Sequence, residues 1–150
     1  KNLVALNREL GIQALYQNHS GSNYVGAPLW DLHELFKAHD PRHLAVGFDM
    51  SHATAEGTRA WPLHANLLRP RIGALYVKSF RWENNKRLNC ALAEGIVDQK
   101  YPRQLIKSGF TGPINLHEEY INHRDPKLVP QHIAAIKKDV ATVKDWLGWD

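Results

Sequence analysis

The clearest structural signal in the chain is an apolar run at residues 43–49, His-Leu-Ala-Val-Gly-Phe-Asp. Between its two ends the run has no alternation of polar and apolar positions, which is typical of a strand buried on both faces of a parallel sheet. The run ends at Asp49, and the polar residues Ser51 and His52 follow closely. The pattern therefore predicts a buried parallel strand whose carboxyl end carries ionisable side chains.

Three other short apolar segments have the same character, and each is followed by a loop and a helical pattern. We predict parallel strands near residues 12–17, 44–49, 72–78 and 113–118, in that spatial order. The helical patterns cover residues 3–10, a segment that begins at Pro28, and residues 58–68, 101–108 and 128–147. Strands that recur about every 30–40 residues with helices between them are typical of βαβ units with right-handed crossovers. The sequence thus predicts an α/β fold, with a polar loop after the second strand and a long loop after the third.

The composition is that of an ordinary globular protein. Hydrophobic residues make up 43% and charged residues 23% of the 150 residues, and no apolar run is long enough for a membrane helix. The net charge of +4 is spread along the chain, which argues against a nucleic-acid partner. A single cysteine, Cys90, rules out an internal disulfide but leaves open whether the protein is cytoplasmic or exported.

Polar residues stand at the end of every predicted strand. The four endings are Gln17-Asn18-His19, Asp49-Met50-Ser51-His52, Tyr76-Val77-Lys78-Ser79 and His117-Glu118-Glu119-Tyr120. In parallel α/β folds the carboxyl ends of neighbouring strands open into a common cavity, where binding and catalytic residues collect. We therefore predict that Gln17, His19, Asp49, His52, Lys78 and Glu119 face one cavity.

Two of these endings resemble motifs of the xylose-isomerase-like superfamily, which includes the sugar phosphate isomerase/epimerase family. Residues 47–52, Gly-Phe-Asp-Met-Ser-His, resemble its Asp-x-x-His strand end, and residues 112–120 resemble its Gly-Pro-(strand)-His-x-Glu-Tyr ending. The resemblance covers nearly the whole chain in order and spacing. It implies that residues 1–150 are the C-terminal half of a parallel (β/α) barrel of TIM type, of which the chain supplies about four βα units.

The resemblance also implies a divalent-metal site, with Mn, Zn or Mg as the cofactor. The family places one metal ligand at the end of each of its last four strands, in the order Glu, Asp, His, Glu. On this pattern Asp49 and Glu119 are metal ligands. Glu119 and His52 are the catalytic residues, with Glu119 as the carboxylate that transfers the proton and His52 in contact with a substrate hydroxyl. The remaining strand-end residues with suitable donors, Gln17, His19 and Lys78, are expected to bind the substrate.

The chain departs from the family pattern at two of the four ligand positions. Gln17 stands where the family has Glu, and Tyr76 stands where it has His. Because a hard divalent cation prefers anionic oxygen ligands, a site with these two changes is expected to bind metal much less tightly.

Several of these residues also have a purely structural interpretation. Asp49 can cap the loop after its strand, His52 can be a hydrogen-bonded loop histidine, and His117 is more often a packed strand residue. Strand alternation places Glu118 and Glu119 on opposite faces, and the family pattern favours Glu119 as the inward one.

The functional hypotheses follow from these matches and departures. The first is isomerisation or epimerisation of a sugar or polyol through a metal-bound enediolate. Because the amide of Gln17 cannot act as a base, a two-base reaction is hard to defend, and a one-base, lyase or hydrolase variant stays open. The second is a non-catalytic barrel that binds carbohydrate. The third, a DNA-repair endonuclease of the same superfamily, is disfavoured because residues 81–98 contain no histidine. Which sugar is bound, and whether it is phosphorylated, is left open.

About four βα units do not close an eight-stranded barrel. Open strand edges before residue 12 and after residue 120 would expose unpaired backbone groups and apolar faces. We therefore expect either an N-terminal half of the barrel or a homo-oligomeric partner to cover them.

Overall fold

The computed structural model describes residues 2–149, and its central feature is a four-stranded sheet. The sheet has the order β1-β2-β3-β6, with β1 at Ala14–Gln17, β2 at Leu44–Asp49, β3 at Ile72–Val77 and β6 at Ile114–Leu116. β1 and β2 run parallel, with Ala14 paired to Leu44 and Gln17 paired to Gly47. The predicted parallel sheet, its strand order and its α/β character are confirmed.

Six helices connect or flank the strands within residues 2–149. They are α1 (Leu3–Leu10), α2 (Leu29–Phe36), α3 (Met50–Gly57), α4 (Trp61–Leu68), α5 (Tyr101–Lys107) and α6 (Val129–Leu147). Short 3₁₀ turns occupy Arg69–Arg71, Leu92–Glu94 and Pro126–Leu128. None of the helices in this range is both long and apolar enough to cross a membrane.

The chain divides into two compact units, one up to Leu75 and one from Tyr76 onward, with the boundary inside β3. In the first unit α2 packs against α4 and β2. Val46 and Phe48 of β2 and Leu32 of α2 are completely buried there. Each such side chain contributes about 1.5–3 kcal/mol of hydrophobic stabilisation relative to an exposed one.

The segment after β2 is a helix where the sequence predicted a polar loop. α3 begins at Met50, directly after β2, and ends at Gly57, before α4 begins at Trp61. The predicted single helix at 58–68 is therefore wrong at its amino-terminal end. The physical reason is that Asp49 acts as the N-cap of α3, which lets the helix begin without any connecting loop.

The second unit contains a hairpin that the sequence prediction described as a long loop. β4 (Ser79–Glu83) and β5 (Lys86–Cys90) pair antiparallel in a separate two-stranded sheet. The turn between them is Asn84-Asn85, and both residues have positive φ, 49° and 59°. Asparagine tolerates this left-handed conformation, which two-residue hairpin turns require. The hairpin is a correction to the predicted loop.

The outer strands of the four-stranded sheet carry exposed apolar side chains. On β1, Leu15 is 36% and Tyr16 is 38% exposed. Beside β6, an apolar groove of about 220 Å³ lies against α6 and is lined by Ile114, Leu116, Val140, Val143, Lys144, Leu147 and Trp149. Apolar surface of this kind is typical of a face that another part of a protein covers.

The close approach of Gly95 to β4 makes a prediction about the stability of the hairpin. A Cβ atom at Gly95 would overlap Ser79 Oγ and would lie 2.9 Å from the backbone nitrogen of Phe80. Because backbone atoms cannot move aside as a side chain can, we expect Gly95→Ala to lower the free energy of unfolding by about 1–3 kcal/mol. Urea denaturation measures this change.

Gly11→Ala is the control for this substitution. Nothing lies within 4 Å of a Cβ built there, but the φ of Gly11 is 65°, so the change tests backbone strain without crowding. It should lower the free energy of unfolding by about 1 kcal/mol. A Gly95→Ala protein as stable as the wild type would contradict the close packing of Gly95 on β4.

Candidate functional site

The carboxylate of Asp49 lies at the centre of the cluster of strand-end residues in the first unit. It is completely buried, and its Oδ1 accepts hydrogen bonds from the backbone N–H groups of Ser51 (3.0 Å) and His52 (3.1 Å). Its Oδ2 accepts a hydrogen bond of 2.8 Å from the side-chain amide of Gln17. Both oxygens therefore face N–H donors of the protein. The structural role considered for Asp49, that of a cap, is its observed local role.

Asn18 joins the ends of β1 and β2 and was not predicted as a site residue. Its Nδ2 donates to the backbone oxygen of Asp49 (3.0 Å), and its Oδ1 accepts from the backbone nitrogen of Asp49 (2.7 Å). The side chain is almost fully buried. Asn18 thereby holds the backbone of Asp49 in place. The sequence feature that could have identified Asn18 as a site residue is its position between the predicted residues Gln17 and His19.

His52 is oriented by the loop that follows β1. Its Nδ1 lies 3.1 Å from the backbone nitrogen of Ser20 and 2.7 Å from Ser20 Oγ. Because a backbone N–H can only donate, Nδ1 is the acceptor and the ring hydrogen is on Nε2, which lies 3.7 Å from Asp49 Oδ2. The ring of His19 stacks on that of His52 at 3.9 Å and on that of Tyr24 at 4.1 Å. The two predicted histidines are thus in direct contact.

In the second unit, Lys78 and Glu119 form an ion pair. Lys78 Nζ donates to both carboxylate oxygens of Glu119, at 2.9 Å and 3.1 Å. The Lys78 side chain is 6% exposed and that of Glu119 is 43% exposed. Asn89 Nδ2 of β5 lies 3.4 Å from Glu119 Oε2, and His117 Nδ1 lies 3.6 Å from Glu119 Oε1. A partly exposed carboxylate is thus surrounded by donors, and the hairpin supplies one of them.

Glu118 and Tyr120 point away from Glu119, toward α6. Glu118 is hydrogen-bonded to His132 Nδ1 and accepts hydrogen bonds from the backbone nitrogens of Tyr120 and Ile121. Tyr120 donates its hydroxyl hydrogen to Asp139 at 2.9 Å. Burial, and then this hydrogen bond, raises the pKa of Tyr120 well above its usual range. Glu118 and Glu119, which both lie beyond the end of β6, therefore have separate environments.

The rings of Tyr76 and His117 stack in the second unit, with centroids 5.0 Å apart and an interplanar angle of 29°. Tyr76 lies in β3 two residues before Lys78, and His117 lies directly after β6 and two residues before Glu119. Neither ring was predicted as a functional group. The sequence did contain a signal for them. On each of two strands that were predicted to be neighbours, an aromatic or imidazole ring stands two residues before a charged side chain.

The predicted site residues thus fall into two groups. Gln17, His19, Asp49 and His52 contact one another in the first unit, directly or through a neighbour. Lys78 and Glu119 contact each other in the second unit. That all six face one cavity stays a prediction.

The surroundings of the two predicted metal ligands do not fit a divalent cation. Within residues 2–149, no group of three or more His, Cys, Asp or Glu is arranged to hold a metal ion. More directly, both oxygens of Asp49 face N–H donors, and both oxygens of Glu119 face the ammonium of Lys78. Donor hydrogens directed at a carboxylate occupy the positions that a cation would need.

Comparison with known proteins agrees with the fold. Residues 1–142 match the family model of the xylose isomerase-like TIM barrel. The chain belongs to this family. A search of curated proteins gave no match. The predicted family and the predicted TIM-type (β/α) fold class are confirmed.

Two solved structures are similar in fold to this xylose isomerase-like chain. One is a xylose isomerase domain protein from Planctomyces limnophilus, with 16% identity and a TM-score of 0.66 over 97% of this chain and 50% of that one. The other is described as the probable 3-DHS dehydratase AsbF involved in petrobactin synthesis from Bacillus anthracis, with 19% identity and a TM-score of 0.64 over 93% of this chain and 52% of that one. The chain spans about half the length of these proteins. At these identities the likeness shows the fold alone.

The capping role of Asp49 predicts a large effect on stability. Asp49→Ala removes the acceptor for two backbone N–H groups and for the amide of Gln17, and leaves buried donors unpaired. We expect the free energy of unfolding to fall by about 2 kcal/mol or more, measured by urea denaturation.

Asn2→Ala is a matched control for this change, because Asn2 caps α1 at an exposed position through one hydrogen bond to Val4. Its expected loss is about 0.5–1 kcal/mol. If Asp49→Ala lowered stability no more than Asn2→Ala, the buried cap would not hold α3 in place as described.

Proposed function

We propose that this protein binds a carbohydrate or related polyol at its strand ends, and that hydrogen-bond donors of the chain have taken the place of a catalytic divalent metal. Membership of the xylose isomerase-like family supports the ligand class. The observation that carries the proposal is the 2.8 Å hydrogen bond from Gln17 Nε2 to Asp49 Oδ2.

An amide and a carboxylate at this distance are stable together without a cation. Two carboxylates in the same positions would repel each other, so that one would bind a proton or both would need a metal ion between them. The amide hydrogen of Gln17 removes this requirement. In the second unit, Lys78 does the same for Glu119 by supplying a full positive charge.

The chemistry available to such a site is binding rather than two-base proton transfer. The amide of Gln17 cannot accept a proton from a substrate carbon. The histidine rings and the amide of Gln17 in the first unit offer donors and acceptors of the kind that sugar hydroxyl groups need. The ion pair of Lys78 with Glu119 offers them in the second unit. These side chains support a non-catalytic carbohydrate-binding barrel, the second hypothesis from the sequence.

A one-base reaction is a second candidate, because Glu119 is 43% exposed and lies beside an ammonium group. In such a reaction Glu119 would remove a proton from the carbon next to a carbonyl group. Lys78 would donate a hydrogen bond to the oxygen that becomes negatively charged. Dehydration and isomerisation both begin with this step, and one of the similar structures is described as a probable dehydratase.

Restoring a carboxylate at position 17 tests the central proposal. We expect isothermal titration of the full-length wild-type protein with Mn²⁺, Zn²⁺ and Mg²⁺ to show weak or no binding. We expect Gln17→Glu to raise the affinity for Mn²⁺ by at least about tenfold, because two facing carboxylates favour a cation.

Gln13→Glu is the matched control. Gln13 directly precedes the same strand, and its exposed amide donates a hydrogen bond to the backbone oxygen of Pro41. It adds the same charge away from Asp49 and should leave metal affinity unchanged. Tight Mn²⁺ binding by the wild type that Asp49→Asn abolishes would contradict the proposal and favour the metal-dependent sugar isomerase or epimerase.

Glu119→Gln separates the binding protein from the one-base enzyme. With aldose, ketose and keto-acid substrates, a one-base enzyme should lose turnover by about 10²–10⁴-fold in this variant while substrate affinity changes little. Glu94→Gln is the control, because Glu94 is an exposed surface carboxylate near Arg81 and Lys138. Absence of turnover in the wild type together with measurable sugar binding would favour the non-catalytic barrel.

We also propose that further βα units or a second copy of the chain cover the exposed apolar residues of β1 and the groove beside β6. The apolar lining of that groove, with Leu116, Leu147 and Trp149, supports this proposal. Residues 1–150 produced alone are therefore expected to self-associate or to unfold without cooperativity. Light scattering and thermal unfolding test this, and a cooperatively unfolding monomer would contradict it.

A further inference from the structure

The stacked rings of Tyr76 and His117 have no part in the metal site that the family resemblance implies. Tyr76 stands where that resemblance calls for a histidine ligand, and it lacks the imidazole nitrogen that a metal would bind. It offers instead a larger aromatic ring, 5.0 Å from the ring of His117. Two rings in this position call for an explanation other than metal binding.

The rings and the ion pair lie next to each other at the carboxyl ends of β3 and β6, where His117 Nδ1 is 3.6 Å from Glu119 Oε1. The backbone N–H of His117 donates to the carbonyl of Val77 at 3.0 Å, which fixes the register of β6 against β3. The ring of Tyr76 contacts that of His117, and the ammonium group of Lys78 contacts the carboxylate of Glu119. An aromatic surface therefore adjoins a charged hydrogen-bonding pair at the strand ends.

The exposure of these side chains is graded. Lys78 is buried, Tyr76 is partly buried, the side chain of His117 is 28% exposed and that of Glu119 is 43% exposed. The buried ammonium group of Lys78 thus holds Glu119 in place, while the carboxylate of Glu119 and part of the imidazole ring of His117 are accessible. Glu119 is oriented by its donors and still able to accept hydrogen bonds from a ligand.

Resting on the function proposed above, we propose that Tyr76 and His117 form a sugar-binding platform, with Glu119 and Asn89 holding the hydroxyl groups of the same sugar. The apolar C–H face of a sugar ring packs on an aromatic surface, while its hydroxyl groups need acceptors and donors at the rim. Glu119 supplies the acceptors. Asn89, on β5, supplies an amide with both donor and acceptor atoms.

The hairpin is a necessary part of this platform. Asn89 Nδ2 lies 3.4 Å from both the backbone oxygen and Oε2 of Glu119, so β5 places its amide next to the carboxylate. The opposite end of the hairpin is the Asn84-Asn85 turn, five residues from Asn89 along the chain. The site that the platform forms is specific for a ligand with one apolar face and several hydroxyl groups.

The experiment uses the full-length protein in buffer containing EDTA, titrated with D-xylose, D-fructose and myo-inositol, and with adenosine as a flat aromatic competitor. At least one of the three polyols should bind, and Tyr76→Ala and His117→Ala should each weaken that binding by at least about tenfold. Tyr76→Phe and Tyr76→Trp keep an aromatic face and should bind within about threefold of the wild type. Circular dichroism of each variant shows whether it is folded.

Trp30→Ala is the control, because Trp30 is an exposed aromatic residue on α2 that lies near another histidine, His33. It should leave polyol binding unchanged. Unchanged binding in folded Tyr76→Ala, or equal losses in Tyr76→Phe and Tyr76→Ala, would overturn the platform and leave the proposed function standing. No binding of any polyol by the wild type would overturn the proposed function itself. Adenosine binding that no polyol displaces would assign the rings to a nucleobase and overturn the platform.

Discussion

The burial of Asp49 is the constraint on which the first unit depends. A carboxylate with no exposed surface must have its charge satisfied by hydrogen bonds. Asp49 obtains them from the first turn of α3 and from Gln17 on the neighbouring strand, while Asn18 holds its backbone from both sides. One side chain thereby fixes where β2 ends, where α3 begins and how β1 meets β2.

The same principle operates in the second unit with a full positive charge in place of an amide. Lys78 is buried and pairs with Glu119, which keeps an accessible surface. In both units a carboxylate expected to hold a metal instead accepts hydrogen bonds from donors of the chain itself. Binding of hydroxyl groups requires donors and acceptors, whereas two-base proton transfer requires two carboxylates.

The sequence allowed the residues of the candidate site to be predicted, but not the contacts between them. The strand endings identified Gln17, Asp49, Lys78 and Glu119 because polar residues directly follow apolar runs. The sequence could not reveal that Lys78 contacts Glu119, since they are 41 residues apart and meet only when β3 and β6 pair. The contact between the rings of Tyr76 and His117 could not be predicted for the same reason. The antiparallel hairpin was also missed, because its strands are short and carry charged residues at many positions.

The parallel strands, their order and the family could be predicted from the sequence, because the periodicity of apolar residues and the spacing of strand-end motifs are local properties of the chain. The role of each polar side chain depends on contacts that form only in the folded protein. Asp49 is a helix cap as well as a strand-end carboxylate, because the backbone N–H groups of Ser51 and His52 lie within its reach. Glu118 contacts His132 of α6, whereas Glu119 contacts Lys78, so two adjacent residues beyond the end of β6 have different environments. Such environments arise only when distant segments pack together.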